Sequence, residues 1–242
     1  MTVLVTGGSR GIGAQIVRDF AARGWNVGII YLNSRENAES LVAETKIVGG
    51  NGLAVACDVR DENSVADMYE QVTSEFGKVD VLVNNAGISA QKLFTDLSVY
   101  EWDDMFAVHC RGAFNCAKAV LPEMIKNKNG VIINISSIWG QIGGACEVHY
   151  SAAKAALIGF TKALAKETAA SGVRVNAIAP GAIKTDMLNV FNDAEINEII
   201  DKIPVGRLGV PSDVSQLALF LASPQADFIT GQVFSCNGGE HV

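Results

Sequence analysis

Short apolar runs alternate six times with longer helix-patterned stretches along this chain, and no other feature restricts its fold as tightly. Thr2–Thr6, Asn26–Tyr31, Leu53–Cys57, Val79–Asn84, Val131–Ser136, Val173–Ala179 and Gln232–Cys236 read as strands. They are rich in valine and isoleucine and mostly lack polar alternation, the pattern of strands covered on both faces. Ile12–Arg23, Arg35–Val48, Glu62–Phe76, Tyr100–Lys126, Tyr150–Thr168, Asp193–Lys202 and Ser212–Ala222 read as helices. Asp61 and Ser212 stand where N-caps belong, and Gly24 and Gly77 follow helix ends. Repeated βαβ units predict a mostly parallel sheet, and right-handed crossovers put helices on both of its faces. No linker, charge block or low-complexity tract divides the 242 residues, so one domain is expected.

Composition removes several classes of function. The chain is 49% hydrophobic and 19% charged, which excludes a wholly disordered polypeptide. Lys plus Arg is 19 against 26 Asp plus Glu, a net charge of −7. Such a surface argues against a general nucleic-acid binder, which needs a basic face. The apolar runs are strand-length and fall short of a bilayer span, so no membrane association is expected. The opening Met1–Thr6 already reads as a strand, leaving no room for a leader, and a cytoplasmic location is expected. Cys57, Cys110, Cys116, Cys146 and Cys236 are dispersed with no Cys-x-x-Cys pair, so reduced thiols are expected, with no metal site.

The first strand runs into Thr6-Gly7-Gly8-Ser9-Arg10-Gly11-Ile12-Gly13 and then a helix. Glycines let the backbone turn tightly and approach a pyrophosphate, and the helix N-terminus offers unpaired N–H donors and a partial positive charge. The spacing is Gly-x-x-x-Gly-x-Gly, not the usual Gly-x-Gly-x-x-Gly. An acid at the end of the second strand would bind ribose hydroxyls and repel a 2′-phosphate. Tyr31-Leu32-Asn33-Ser34-Arg35 stands there instead, with no carboxylate before Glu36. Arg10 and Arg35 can face a phosphate and Asn33 and Ser34 can donate to it, which favours NADPH over NADH.

Tyr150-Ser151-Ala152-Ala153-Lys154 opens an alanine-rich helix. Positions i and i+4 share a face, so the phenol and the ammonium converge. A nearby ammonium lowers the pKa of a tyrosine and fits it for proton transfer. Ser137 ends the fifth strand, on the edge where ligands bind in open α/β sheets, and its hydroxyl can hydrogen-bond a carbonyl oxygen.

These residues, with Asp58-Val59, Asn84-Asn85-Ala86-Gly87 and Pro180-Gly181, resemble in order the motifs of the short-chain dehydrogenase/reductase family. The resemblance covers essentially the whole chain. It implies a single-domain Rossmann fold with a doubly wound, parallel seven-stranded sheet. It also implies that Tyr150 protonates a ketone oxygen as hydride arrives, that Lys154 tunes Tyr150 and binds the nicotinamide ribose, and that Ser137 orients the carbonyl. Asp58 and Val59 would touch the adenine, and Asn85, Ala86 and Gly87 would line the cofactor. Pro180, Gly181, Ile183 and Thr185 would hold the nicotinamide. The family usually carries an asparagine in a proton relay where this chain has His109, within Val108-His109-Cys110-Arg111-Gly112. Histidine donates and accepts, so His109 is expected to serve that relay.

Residues 182–207 are expected to form a substrate lid, carrying Met187, Leu188, Val190, Phe191, Ile196, Ile199 and Ile203. The chain is most similar to bacterial 3-oxoacyl-acyl-carrier-protein reductases, which dock an acidic carrier with two basic residues. Lys128 matches one and Ser171 stands at the other. The stretch Ser136–Gly140, continuing through Gly144–Tyr150 with Trp139, Cys146 and Glu147 flanking the catalytic residues, is similar to a Gram-positive branch that reduces a 5-aminopentanone on elongation factor P. There Glu147 would pair with an amine. A non-catalytic cofactor sensor of the same fold is the alternative of another class. The resemblance also implies a homotetramer with Tyr100–Lys126 and Tyr150–Thr168 at the interface.

Overall fold

A computed structural model describes residues 1–242. The strands are β1 (Thr2–Thr6), β2 (Asn26–Tyr31), β3 (Asn51–Ala56), β4 (Val81–Asn84), β5 (Gly130–Ile135), β6 (Val173–Pro180) and β7 (Val233–Cys236). The helices are α1 (Gly11–Ala21), α2 (Arg35–Ile47), α3 (Glu62–Phe76), α4 (Val99–Phe106), α5 (Gly112–Lys126), α6 (Trp139–Ile142), α7 (Val148–Thr168), α8 (Asp193–Asp201) and α9 (Pro211–Ala222). One sheet holds all seven strands in the order β3-β2-β1-β4-β5-β6-β7, every pair parallel. The order reverses between β1 and β4, and their C-terminal ends open a crevice suited to a ligand.

Side chains alternate across the sheet, so each face has its own core. On one face Val3, Val5, Ile29, Val83 and Ile133 pack with Ile16, Val17 and Phe20 of α1 and Val214, Ala218 and Leu221 of α9. On the other, Leu4, Ile30, Leu82 and Ile132 meet Val65, Met68 and Val72 of α3 and Cys116, Val120 and Met124 of α5. Each buried valine, leucine, isoleucine, phenylalanine or methionine among them contributes roughly 1.5–3 kcal/mol. All five cysteines are free thiols. No helix is long and apolar enough to cross a membrane.

Three local expectations are corrected. The single helix Tyr100–Lys126 is instead α4, a five-residue π segment Ala107–Arg111, and α5. A capping box at Ser98 and Glu101 starts α4 one residue early. Ser212 does not cap α9. The helix begins at Pro211, and the Asp213 carboxylate accepts from the Val210 N–H at 2.8 Å while pairing with Arg207. Asp61 does cap α3, and Gly24 and Gly77 both adopt positive φ past helix ends.

A polar ladder crosses the sheet beneath the crevice. Asn84 Nδ2 donates to Asn134 Oδ1, and Asn134 Nδ2 donates to Thr161 Oγ1, both at 2.8 Å. It fixes α7 against β4 and β5, and so sets where the first turn of α7 presents its side chains.

Candidate active site

The turn after β1 is shaped for close approach. A Cβ on Gly7 would stand 2.9 Å from Ala86 Cα, and one on Gly13 would stand 2.2 Å from the Gly7 carbonyl oxygen. Arg10 is the extended N-cap of α1 and its side chain caps nothing, so first-turn N–H groups face the crevice unpaired. The loop after β4 is braced onto this turn. Asn85 Nδ2 donates to the Thr6 carbonyl at 2.9 Å, and the Asn85 and Ala86 N–H groups donate to Thr6 Oγ1 at 2.9 and 3.0 Å.

The resulting cleft, of about 460 Å³, is lined by Gly7, Ser9, Arg10, Gly11, Ile12, Asn33, Ser34, Asp58, Val59, Asn85, Ala86, Gly87 and Thr185 among the expected residues. Tyr31 and Leu32 at the end of β2 and Met187 of the expected lid line it too, as do Arg60, Ile88, Ser89, Asp104 and Val108, which the sequence does not single out as cofactor contacts. Tyr31, Leu32, Ile88 and Ser89 were findable, because they follow parallel strands at the ligand-binding edge. Arg60 and Asp104 were not, since only the tertiary fold joins them. Arg60 grips both Asp58 oxygens at 2.7–3.1 Å and reaches Asp104 at 2.6 Å. Its guanidinium holds the Asp58 carboxyl below the usual carboxylate range. Gly13 lies behind the turn. Arg35 is not on the cleft wall; its guanidinium pairs with Glu39 at 2.8 Å along the exposed side of α2. Unpaired helix N–H groups, a backbone cradle and Arg10 in the turn between β1 and α1 fit a dinucleotide with its phosphates.

Beside this cleft stand Ser137, Tyr150 and Lys154. Gly140 of α6 presses on the Lys154 backbone, where a Cβ would come within 2.8 Å, and Ser136 Oγ donates to the Lys154 carbonyl at 2.9 Å. Lys154 Nζ donates to the Ile135 carbonyl at 2.7 Å and lies 5.5 Å from the centre of the Tyr150 ring. The Ile138 N–H donates to the Pro180 carbonyl at 2.9 Å, joining the serine turn to the Pro180-Gly181 turn. Ile183 is buried and bridges to Gly209, and Thr185 packs against Gly11.

The electrostatics differ from expectation. Burial pushes Tyr150 up to about 12, opposed by a hydrogen bond with Ser137 and reinforced by Glu147. Burial pulls Lys154 down to about 7. Desolvation dominates both groups, and Ser137, not Lys154, supplies what lowering the phenol receives. The arrangement keeps a proton on Tyr150, which suits a proton donor.

His109 is buried in the π segment, its ring edge-on to Tyr150 with centroids 5.4 Å apart. Its Nε2 lies 2.8 Å from the Ile88 carbonyl oxygen, and Nδ1 has no partner. Burial, then Lys154, holds the imidazole well below its ordinary pKa.

A family model described as enoyl-(acyl carrier protein) reductase matches residues 7–241. The chain belongs to the short-chain dehydrogenase/reductase family. It is a nicotinamide-dependent oxidoreductase acting between keto and hydroxyl groups. It is 42% identical to the 3-oxoacyl-[acyl-carrier-protein] reductase FabG of Staphylococcus epidermidis, over 100% of this chain and 99% of that protein. It is also 42% identical to the uncharacterized oxidoreductase YmfI of Bacillus subtilis, over 99% of this chain and 98% of that one. The crystal structure of 3-oxoacyl-[acyl-carrier protein] reductase from Brucella melitensis superposes with a TM-score of 0.93 at 36% identity, covering 98% of this chain and 90% of that one.

Proposed function

We propose that the chain uses NADPH to reduce a 3-oxoacyl group carried on an acyl carrier protein to the secondary alcohol. The observation that carries this reading is the convergence of Ser137, Tyr150 and Lys154 beside a dinucleotide cleft, in a chain 42% identical to such a reductase. Bound NADPH supplies the hydride. Ser137 orients the ketone oxygen. Tyr150 gives that oxygen its proton, and its raised pKa keeps the proton in place until then. Lys154 sits one helical turn below and holds the ribose of the cofactor. Arg10, Asn33 and Ser34, with no carboxylate among residues 31–34, support NADPH over NADH. Pro180, Gly181, Ile183 and Thr185 hold the nicotinamide end.

Residues 182–207 serve as the lid over a single catalytic domain. Met187 lines the cofactor cleft, and Val190 and Val205 are 75% and 61% exposed, leaving apolar surface for a substrate chain. Lys128 lies on a groove at the opposite end of the sheet, beside Arg23 and Arg174. β5 separates Lys128 from Ser137 by roughly 20 Å at ~3.3 Å per residue. A carrier docked at Lys128 has either to bridge that span to reach Ser137 or to serve a neighbouring copy in the homotetramer that the family resemblance implies.

Glu147 favours a second reading. It is buried next to the Tyr150 turn, and its hydrogen bond is a long 3.4 Å contact from Gln91. An amine on the substrate, as in the 5-aminopentanone of elongation factor P, would complete it. NADPH consumption with an acetoacetyl thioester and with 5-amino-2-pentanone separates the two readings. Tyr150→Phe should abolish turnover with either ketone while cofactor binding persists. Full turnover by that variant would refute the proton-donor assignment, and a wild type inert with both ketones that still binds NADPH would favour a sensor.

A further inference from the structure

We propose that Arg60, rather than Asp58, reads the base at the far end of the cofactor, so that the cleft offers that base hydrogen-bond donors and takes a 6-oxopurine at least as readily as adenine. Tyr150 and Lys154 fix the nicotinamide end beside β5 and β6, and the phosphates belong at the turn between β1 and α1. The other base of a dinucleotide therefore lies at the β3 end of the sheet, where Asp58, Arg60 and Asp104 line the cleft.

An ionised carboxylate beside adenine can accept from the exocyclic amino group, and it has about four lone-pair positions for doing so. Asp58 commits them all to one residue. Its Oδ1 accepts from the Arg60 backbone N–H at 3.0 Å and from Nε at 2.9 Å, and its Oδ2 accepts from Nε at 3.1 Å and from Nη2 at 2.7 Å. Such charge-assisted bonds are roughly twice as strong as neutral ones. A neutral amino group enters only by displacing one of them, so the exchange favours Arg60.

Arg60 is held from a second side as well. Nη1 donates to Asp104 Oδ1 of α4 at 2.6 Å. The residue before it is tied to α5, because Asn115 Nδ2 donates to the Val59 carbonyl at 2.9 Å and a Cβ on Gly112 would stand 2.7 Å from Val59 Cγ2. The guanidinium is thus fixed in advance, with its side chain 34% exposed at the cleft. Each terminal nitrogen keeps a second N–H that no acceptor of the chain engages. An arginine fork pairs with the O6 and N7 of a 6-oxopurine, whereas adenine sets an amino group beside N7. Asp58 is on this account a positioning residue that aims Arg60. The inference rests on the cleft holding a nicotinamide dinucleotide, and not on which ketone is reduced.

The test compares NADPH with its deamino analogue, in which hypoxanthine replaces adenine. Binding to the intact chain is read by the fluorescence of the reduced nicotinamide. The wild type should bind the analogue with a dissociation constant no more than threefold above that for NADPH. A larger preference for adenine overturns the proposal, and this arm needs no variant. Arg60→Ala frees the Asp58 oxygens to face the base, where they attract an amino group and repel O6. The ratio of the two dissociation constants should then rise at least fivefold, and a smaller rise overturns the proposal. Asp58→Ala should leave the ratio within threefold of wild type, whereas a larger change marks Asp58 as the reader of the base and overturns it. Running NADH against deamino-NADH in parallel keeps the comparison independent of the 2′-phosphate. Failure of all four dinucleotides to bind would overturn the dinucleotide reading of the cleft and the proposal with it, a result distinct from binding with a strong preference for adenine.

Discussion

Replacing Lys154 by methionine converts the buried amine into a measurable stability difference. Burial brings this group from its ordinary 10.5 to about 7. Below pH 7 the folded and unfolded chains both carry the charge, and the fold bears the full cost of holding it away from water. Between 7 and 10.5 the unfolded chain keeps the proton and the folded chain has lost it, so wild-type stability rises with pH across that window. Each pH unit is worth ~1.36 kcal/mol. Subtracting the variant cancels the other titrating groups. Wild-type stability minus that of Lys154→Met should therefore rise by about 2.5 kcal/mol from pH 6 to pH 9. Methionine fills similar space but leaves the Ile135 carbonyl unpaired, a pH-independent offset of about 1–3 kcal/mol. Urea unfolding at pH 6, 7, 8 and 9 and one protein concentration gives the curve. A difference that stays flat over this range would place the amine near its solution pKa inside the fold and refute the desolvation argument.

Other perturbations separate the remaining contacts. Arg10→Ala should weaken NADPH binding about tenfold or more, the range of a lost charge-assisted hydrogen bond, and change NADH binding little. Arg35→Ala should shift NADPH affinity less than about threefold, because that guanidinium already pairs with Glu39; titration of both cofactors by fluorescence decides. Thr161→Val leaves the buried Asn134 amide without its acceptor and should cost about 1–3 kcal/mol in thermal unfolding. Gly13→Ala puts a Cβ 2.2 Å from the Gly7 carbonyl, and calorimetry should find cofactor binding lost while the far-ultraviolet dichroism persists.

The doubly wound sheet was legible because β1, β4, β5 and β6 are covered on both faces, and such strands announce themselves as unbroken apolar runs. Tyr150 and Lys154 were legible because four residues is one helical turn. What escaped depends on long-range geometry. Nothing in the residue types of Ala107–Arg111 marks the segment as π. Arg35 read as a phosphate ligand because it follows the end of β2 with no carboxylate before Glu36; in the ligand-free fold its exposed guanidinium lies along α2 beside Glu39. Ser212 read as a cap by residue type, but Pro211 had already begun the helix and Asp213 supplied the oxygen. The upward displacement of the Tyr150 pKa was invisible for a similar reason: sequence shows a charge four residues away but not the dryness of its surroundings.

The π segment has a consequence for how this stretch of chain tolerates changes of length. Each helical residue advances by about 100°, at ~3.6 residues per turn. The wide turn at 107–111 holds one residue more than an α-helix needs, so removing one there lets a regular helix run straight through with α4 and α5 still in phase. Cys116, Val120 and Met124 keep their places in the core, and the change is felt first at the contacts of His109 with Ile88 and Tyr150. A residue lost from α5 itself would instead turn everything beyond it by that angle. The segment is thus slack stored in the chain, and libraries that shorten this helix should find their folded survivors there, with activity rather than stability paying for the loss.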